Sequence, residues 1–281
     1  MRSLLFVPAD RPERFAKAAA IGADALILDL EDSVAVERKT SGREAIATVL
    51  SAAALGPKLF VRINPLGSPH ITADLAALSG LHPDGIVLPK AEGAASVHAL
   101  SELLATAKIN APILPIATET PRAIFQLGSY QDVAAYLTGL TWGAEDLPAA
   151  IGAATSREAD GRYTPPYELA RSLTLMAAHA AGTEAIETVY PDFRDLDGLS
   201  AYAARAARDG FTGMMAIHPA QVSVINAAFT PDEAALAHAQ EVVDAFAANP
   251  GVGALQIKGR MIDAPHLKQA QKLLRLAGRV V

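Results

Sequence analysis

The 281-residue chain has no cysteine. Disulfides and zinc–thiolate centres are therefore excluded, and other chemistry has to supply any metal site. Lys/Arg clusters are also missing, and the formal net charge is −6. That balance argues against a nucleic-acid surface. Long apolar runs are missing as well. The opening stretch MRSLLFVPADRPER reaches proline and charge too soon for a secretory leader or a membrane span. Alanine-rich stretches such as AAHAAGTEAIETVY are broken by Gly and charge, so they read as packed helix and strand. No glycine-rich GxGxxG turn follows the first apolar run. A cytoplasmic protein without a membrane partner is the default expectation.

What is present is repetition. Eight short apolar runs recur: Ser3–Val7, Ala25–Leu30, Leu59–Ile63, Gly85–Leu88, Ile113–Ala117, Tyr136–Leu140, Ala185–Val189 and Met214–Ile217. Between them lie helix-like stretches at Arg11–Ala20, Arg38–Leu55, Ala95–Ala107, Ala123–Leu127, Tyr167–Ala181 and Leu199–Asp209. Strand-length runs alternating with helical patterns predict an α/β fold, a (β/α)8 TIM barrel over residues 1–228. A doubly wound open sheet is the rival, weakened by the missing phosphate-binding turn. Residues 229–281 form a C-terminal helical extension that the barrel does not need. Thr230-Pro231-Asp232-Glu233 reads as a capping box with Thr230 as N-cap, opening a helix to about Ala248. A short segment, Asp263 and a final helix follow, as a lid or an oligomer arm.

In a barrel, residues at the C-terminal ends of the strands converge on one mouth. Polar residues stand at nearly every run's end: Asp29, Glu31 and Asp32 after the second, Arg62 at the third, Lys90 after the fourth, Glu119 after the fifth, Glu145 and Asp146 after the sixth, His218 after the eighth. The stretch ILPIATETPRAIF shows how one is delivered. Ile113–Ala117 suits a strand buried on both faces, Thr120 and Pro121 suit a helix start, and Glu119 falls in the turn between them. Glu119 and Asp146 close successive runs. Neighbouring strands lie about 4.8 Å apart, so both carboxylates can reach one ion. Two hard oxygen ligands suit Mg²⁺, with Mn²⁺ possible. Arg62 could grip a carboxylate or a developing oxyanion; alternatively it forms an internal salt bridge with Asp29 or Glu31. Lys90 could be a Schiff-base nucleophile, although that chemistry needs no metal carboxylates. His218, in IHPAQ, reads as a structural histidine before a turn.

RSLLFVPADRPERFAKA, LILDLEDSV, LFVRINPL, GIVLPK, ETPRAI, WGAEDL, AIHPAQV and GRMIDAP occur in this order along nearly the whole chain. The set resembles the HpcH/HpaI aldolase and citrate lyase β-subunit family, related to malyl-CoA and citramalyl-CoA lyases. The resemblance implies a homotrimeric or hexameric TIM barrel that cleaves or forms a 3-hydroxyacyl-CoA, with CoA as part of the substrate and a 2-oxo acid as the other fragment. It implies Mg²⁺ on Glu119 and Asp146, the 2-oxo acid on Arg62 and Glu119, and CoA phosphates near Arg14 and Lys17. It implies an acid/base role for Asp263, reaching a neighbouring subunit's site; the alternative is that Asp263 caps the final helix. Asp29, Glu31 and Asp32 would support the site from behind. Two rival functions stay open: a β subunit of a multi-subunit citrate lyase using an acyl-carrier thioester, and a non-catalytic barrel that binds a 2-oxo acid and regulates a partner.

Overall fold

A computed structural model describes residues 1–52 and 56–279, apart from the side chain of residue 276. It divides into two compact units, Met1–Ala227 and Ala228–Val281.

The first unit carries eight parallel strands: β1 Ser3–Pro8, β2 Ala25–Asp29, β3 Lys58–Arg62, β4 Gly85–Leu88, β5 Ile113–Pro115, β6 Gly139–Thr141, β7 Glu184–Glu187 and β8 Gly213–Ala216. Their order is β5-β4-β3-β2-β1-β8-β7-β6. The two ends of that order meet through isolated parallel bridges, Ile113↔Leu137 and Ile116↔Thr141, so the sheet is a near-closed barrel rather than an open sheet. Each apolar run became a strand. The sixth shifted toward the C-terminus because Leu127–Tyr136 is drawn into a 3-10 stretch whose Tyr130 is fully buried.

The helices around the barrel are α1 Phe15–Ala19, α2 Lys39–Ser51, α3 Ile71–Leu78, α4 Ala94–Thr106, α5 Pro121–Ile124, α6 Asp146–Ile151, α7 Pro165–Ala180, α8 Leu196–Asp209 and α9 Pro219–Ala228. The stretch expected at Arg11–Ala20 divides into a 3-10 turn, Pro12–Arg14, and the short α1. Residues 53–55 of the expected second helix lie outside the described residues. α3, α6 and α9 lie outside the stretches singled out in the sequence, although eight βα units were expected. α6 is six residues long and starts at Asp146, soon after the end of β6, which hides it from a periodicity test.

Alternation along the strands builds the interior. Leu4, Ala25, Ile27, Phe60, Val87, Leu114, Ile116, Ile186 and Met215 form one buried cluster inside the barrel. Burying a side chain such as Phe60 contributes about 1.5–3 kcal/mol. Gly85 leaves room for it: a Cβ there would lie 2.2 Å from the Phe60 ring. The next residues in phase with this cluster, Asp29 after Ile27 and Arg62 after Phe60, carry the interior columns up to the mouth.

In the second unit, α10 (Glu233–Ala248) and α11 (Ala264–Leu276) flank a hairpin of β9 (Ala254–Ile257) and β10 (Arg260–Asp263). Leu236, Ala239, Val242, Ile257, Ile262, Ala270 and Leu274 form its core. The N-cap of α10 is Asp232, whose carboxylate accepts from Ala235 N–H, and not Thr230. The hairpin was read only as a short segment, since its strands are four residues each. Among the described residues, no helix is long and apolar enough to cross a membrane.

Candidate active site

Strand register brings the first pair together. Asp29 and Arg62 are Cα partners across β2 and β3, so their side chains leave the sheet on the same side. Arg62 donates from Nε and Nη2 to the two Asp29 oxygens at 2.6 and 2.7 Å. Its Nη1 stands 3.0 Å from Glu31 Oε2, a purely ionic approach without hydrogen-bond alignment. The Phe6 ring lies 4.8 Å from the guanidinium. The internal salt bridge is thus present, with both candidate partners. Burial pushes Asp29 toward protonation, but the bonds from Arg62 outweigh it and hold the carboxyl below its ordinary range. Burial raises Glu31, against the pull of Arg62 and Lys90.

Glu119 arrives as its sequence context implies. Thr120 is the N-cap of α5, accepting from Ala123 N–H, and Pro121 follows at the first helical position. Thr118 and Gly143 exchange two hydrogen bonds of 3.0 Å and clamp the ends of β5 and β6. Gly143 has a second duty: a Cβ there would lie 2.7 Å from Glu119 Cγ. The buried Glu119 carboxyl accepts one hydrogen bond, 2.5 Å from Lys90 N–H. Burial, with the charges of Glu31 and Asp146, raises its pKa to about 8 despite that bond. Asp146 opens α6 and is more exposed, at 37%.

One cavity of about 280 Å³ at the mouth is lined by Asp29, Asp32, Arg62, Glu119, Glu145 and Asp146, with Phe6, Ile116, Val189 and Met215 forming an apolar wall. It gathers Arg62, both candidate metal ligands and two of the three acids placed behind them. Glu31 lies outside the lining but in contact with Arg62 and Lys90. The donors suit a hard divalent cation: two carboxylates from adjacent strand ends, one of them buried with a single hydrogen bond and therefore short of positive charge.

Other candidates are placed differently. Lys90 adopts a left-handed backbone, φ 52°, and its Nζ lies 2.8 Å from Glu31 Oε1 and 3.5 Å from Asp146 Oδ1. Burial favours the neutral amine, but the Glu31 bond and the surrounding carboxylates win and raise its pKa above the ordinary lysine value. A Schiff-base nucleophile must be neutral, so this geometry opposes that role. His218 Nδ1 accepts from Ala220 N–H and its ring stacks on Phe193, a turn-forming role. Arg14 and Lys17 are exposed on the first turns after β1 and do not line the cavity. Asp263 stands at the N-cap position of α11, where its Oδ1 lies 2.5 Å from His266 Nδ1.

Several buried charges escaped sequence reasoning, among them Asp74, Arg171 and Glu187. Glu187 is fully buried at the end of β7, bonded to Arg171 Nε at 2.7 Å and to Trp142 Nε1 at 2.5 Å. The signal was a lone acid inside the apolar run Ala185–Val189.

Residues 2–219 match the HpcH/HpaI aldolase/citrate lyase family, and residues 175–279 match a C–C bond lyase family of the TIM-barrel fold. A citrate lyase subunit beta-like protein of Mycobacterium tuberculosis is 40% identical over 280 residues, covering 98% of this chain and 94% of the relative. A mitochondrial citramalyl-CoA lyase of Rattus norvegicus is 34% identical over 295 residues, covering 98% and 86%. The crystal structure of M. tuberculosis CitE in complex with magnesium, acetoacetate and coenzyme A superposes with a TM-score of 0.82 at 40% identity, covering 99% of this chain and 98% of that one.

Proposed function

The chain belongs to the HpcH/HpaI aldolase/citrate lyase family, and on that premise we propose that its barrel mouth, built from Arg62, Glu119 and Asp146, cleaves or forms a 3-hydroxyacyl-CoA. The protein is a Mg²⁺-dependent carbon–carbon lyase of CoA thioesters. The observation that carries the site assignment is convergence: Arg62 at the end of β3, Glu119 just past β5 and Asp146 just past β6 line one cavity.

Cleavage is a retro-Claisen step. The 3-hydroxyl loses its proton, the C2–C3 bond breaks, the carbinol becomes the keto group of a 2-oxo acid, and C2 departs as the enolate of acetyl-CoA, which then takes a proton. Glu119 and Asp146 would hold the metal. When bound, Mg²⁺ acts as a Lewis acid that lowers the pKa of the substrate hydroxyl. Arg62 spends Nε and Nη2 on Asp29, which fixes the plane of the guanidinium. Its Nη1 keeps hydrogens for the 2-oxo acid carboxylate or the developing alkoxide. The apolar wall keeps water from the enolate. Asp263, from a neighbouring subunit, is the proposed proton donor, and Arg14 and Lys17 the proposed contacts for CoA phosphates; both rest on the family resemblance. A cytoplasmic homotrimer or hexamer belongs to the same reading.

The test is a panel of citramalyl-, malyl- and citryl-CoA assayed with Mg²⁺ and after EDTA. Metal-dependent release of acetyl-CoA from at least one is expected. Equal turnover in EDTA would sink the assignment of Glu119 and Asp146. Turnover that requires an added acyl-carrier protein would favour a citrate lyase subunit instead.

A further inference from the structure

Lys90 touches three carboxylates delivered by three different strand ends. Its backbone N–H bonds Glu119 Oε2 at 2.5 Å, its Nζ bonds Glu31 Oε1 at 2.8 Å, and the same Nζ lies 3.5 Å from Asp146 Oδ1. The three contacts differ in kind. The bond to Glu119 belongs to the main chain, in a left-handed conformation that any L-residue at position 90 would share as strain. The bond to Glu31 is aligned and short. The approach to Asp146 is an ion pair only, and Asp146 is the most exposed of the three acids. The mouth is rich in acid: Asp29, Asp32, Glu119, Glu145 and Asp146 line the cavity beside one arginine, whose charge already faces Asp29 and Glu31. A metal-free cluster of this sign repels itself, and a resident ammonium relieves the repulsion.

We propose that Lys90 is a built-in counter-cation: it holds the metal-free acid cluster together and competes with the divalent metal for Asp146, so that it sets the site's metal affinity below what the carboxylates alone would give. The inference rests on the assignment of Glu119 and Asp146 as metal ligands. Asp146 exchanges its loose ion pair for the metal, while Nζ keeps its hydrogen bond to Glu31. Lys90 is thus a positioning and affinity-setting residue, not a nucleophile.

The test is Mn²⁺ titration by calorimetry, with melting temperatures of the metal-free proteins, on wild type, Lys90→Met, Lys90→Gln and Lys90→Arg. Neutral residues remove the competing charge and leave the backbone bond to Glu119 in place. Lys90→Met is expected to bind Mn²⁺ at least about tenfold more tightly and to melt lower without metal. Lys90→Gln, which keeps a donor for Glu31, should show the same gain in affinity with a smaller melting loss, and it decides the question if the Met variant does not fold. Lys90→Arg, keeping the charge, should stay within about threefold of wild type. Unchanged or weaker Mn²⁺ binding by folded neutral variants would overturn the proposal and mark Lys90 as a support that the metal needs. Asp146→Asn binding Mn²⁺ as tightly as wild type would instead overturn the ligand assignment, and the competition with it.

Discussion

Arg62 and Arg171 are both bound to carboxylates in this barrel, and their surroundings make them opposites. Arg62 bonds Asp29 through two nitrogens and faces Glu31, and it opens into the cavity at the mouth. Arg171, on α7, bonds Glu187 and Asp209, lies under the Phe211 ring, and is only 3% exposed in its side chain. Even so, its Nη2 has no partner. Both pairs began as the same chemical device. What separates them is whether space for a ligand adjoins the guanidinium. A buried ion pair by itself is therefore no sign of a site; the cavity next to it is.

Substitutions can break that comparison. The largest effect is expected at the mouth away from either arginine. Asp146→Asn should lower kcat/KM by at least about 10³-fold, with melting nearly unchanged, because a metal ligand is lost while an exposed side chain keeps its shape. Steady-state kinetics and thermal melting together check this; a loss below tenfold would take Asp146 out of the metal site.

Arg171→Leu should do the reverse. It strands Glu187 in a site with no access to water, at a cost of about 3–5 kcal/mol of stability. Denaturant unfolding would show it, and whatever protein remains folded should keep wild-type KM. A shift of under 1 kcal/mol would mean that water reaches Glu187.

Arg62→Lys keeps charge but loses the planar fork shared between Asp29 and a ligand. We expect kcat/KM to fall about 10²-fold with a smaller stability change than for Arg171→Leu. Wild-type kinetics would remove Arg62 from substrate binding and make it a second Arg171. Gly143→Ala should act through its neighbour. A Cβ 2.7 Å from Glu119 Cγ must displace that side chain, and roughly tenfold weaker Mn²⁺ binding should appear in calorimetry. Unaltered affinity would show that Glu119 has slack.

The smallest effect lies at the far end of the barrel, where Arg2 meets Asp24 through Nε and Nη2. Burial pushes the Asp24 carboxyl up, but the Arg2 bonds outweigh it and lower its pKa. A carboxyl lowered in the folded state adds stability above its unfolded pKa and loses it as pH falls through the folded value. Wild type should exceed Asp24→Asn by under about 1 kcal/mol near neutral pH, since the pair is partly exposed, and the gap should close below about pH 4. A gap independent of pH would show that charge is not its source.

Legibility in the sequence followed how local each cause was. The α5 start at Thr120-Pro121 is written in adjacent residues, because capping and the fixed proline φ act over one turn. The eight strands were legible because each has an apolar run at its centre, as suits strands of a parallel sheet buried on both faces. Glu119, Asp146 and Arg62 could be nominated because parallel strands all end at one mouth. The cap of α10 was misplaced by two residues, since Thr230 and Asp232 are both able acceptors and only the path of the chain chooses. The hairpin at 254–263 was missed because its strands are too short and exposed to show a period.

By itself, then, the sequence determined the barrel, its repeat, and the residue types at its mouth, since local propensity and burial pattern act along the chain. Only the tertiary structure decided how those residues share charge. The pairing of Asp29 with Arg62 depends on strand register, the three contacts of Lys90 on the left-handed turn after β4, and the space for Glu119 on a glycine from the next strand end. Each is set by contacts between residues far apart in the chain, and a charge network has no sequence period to announce it.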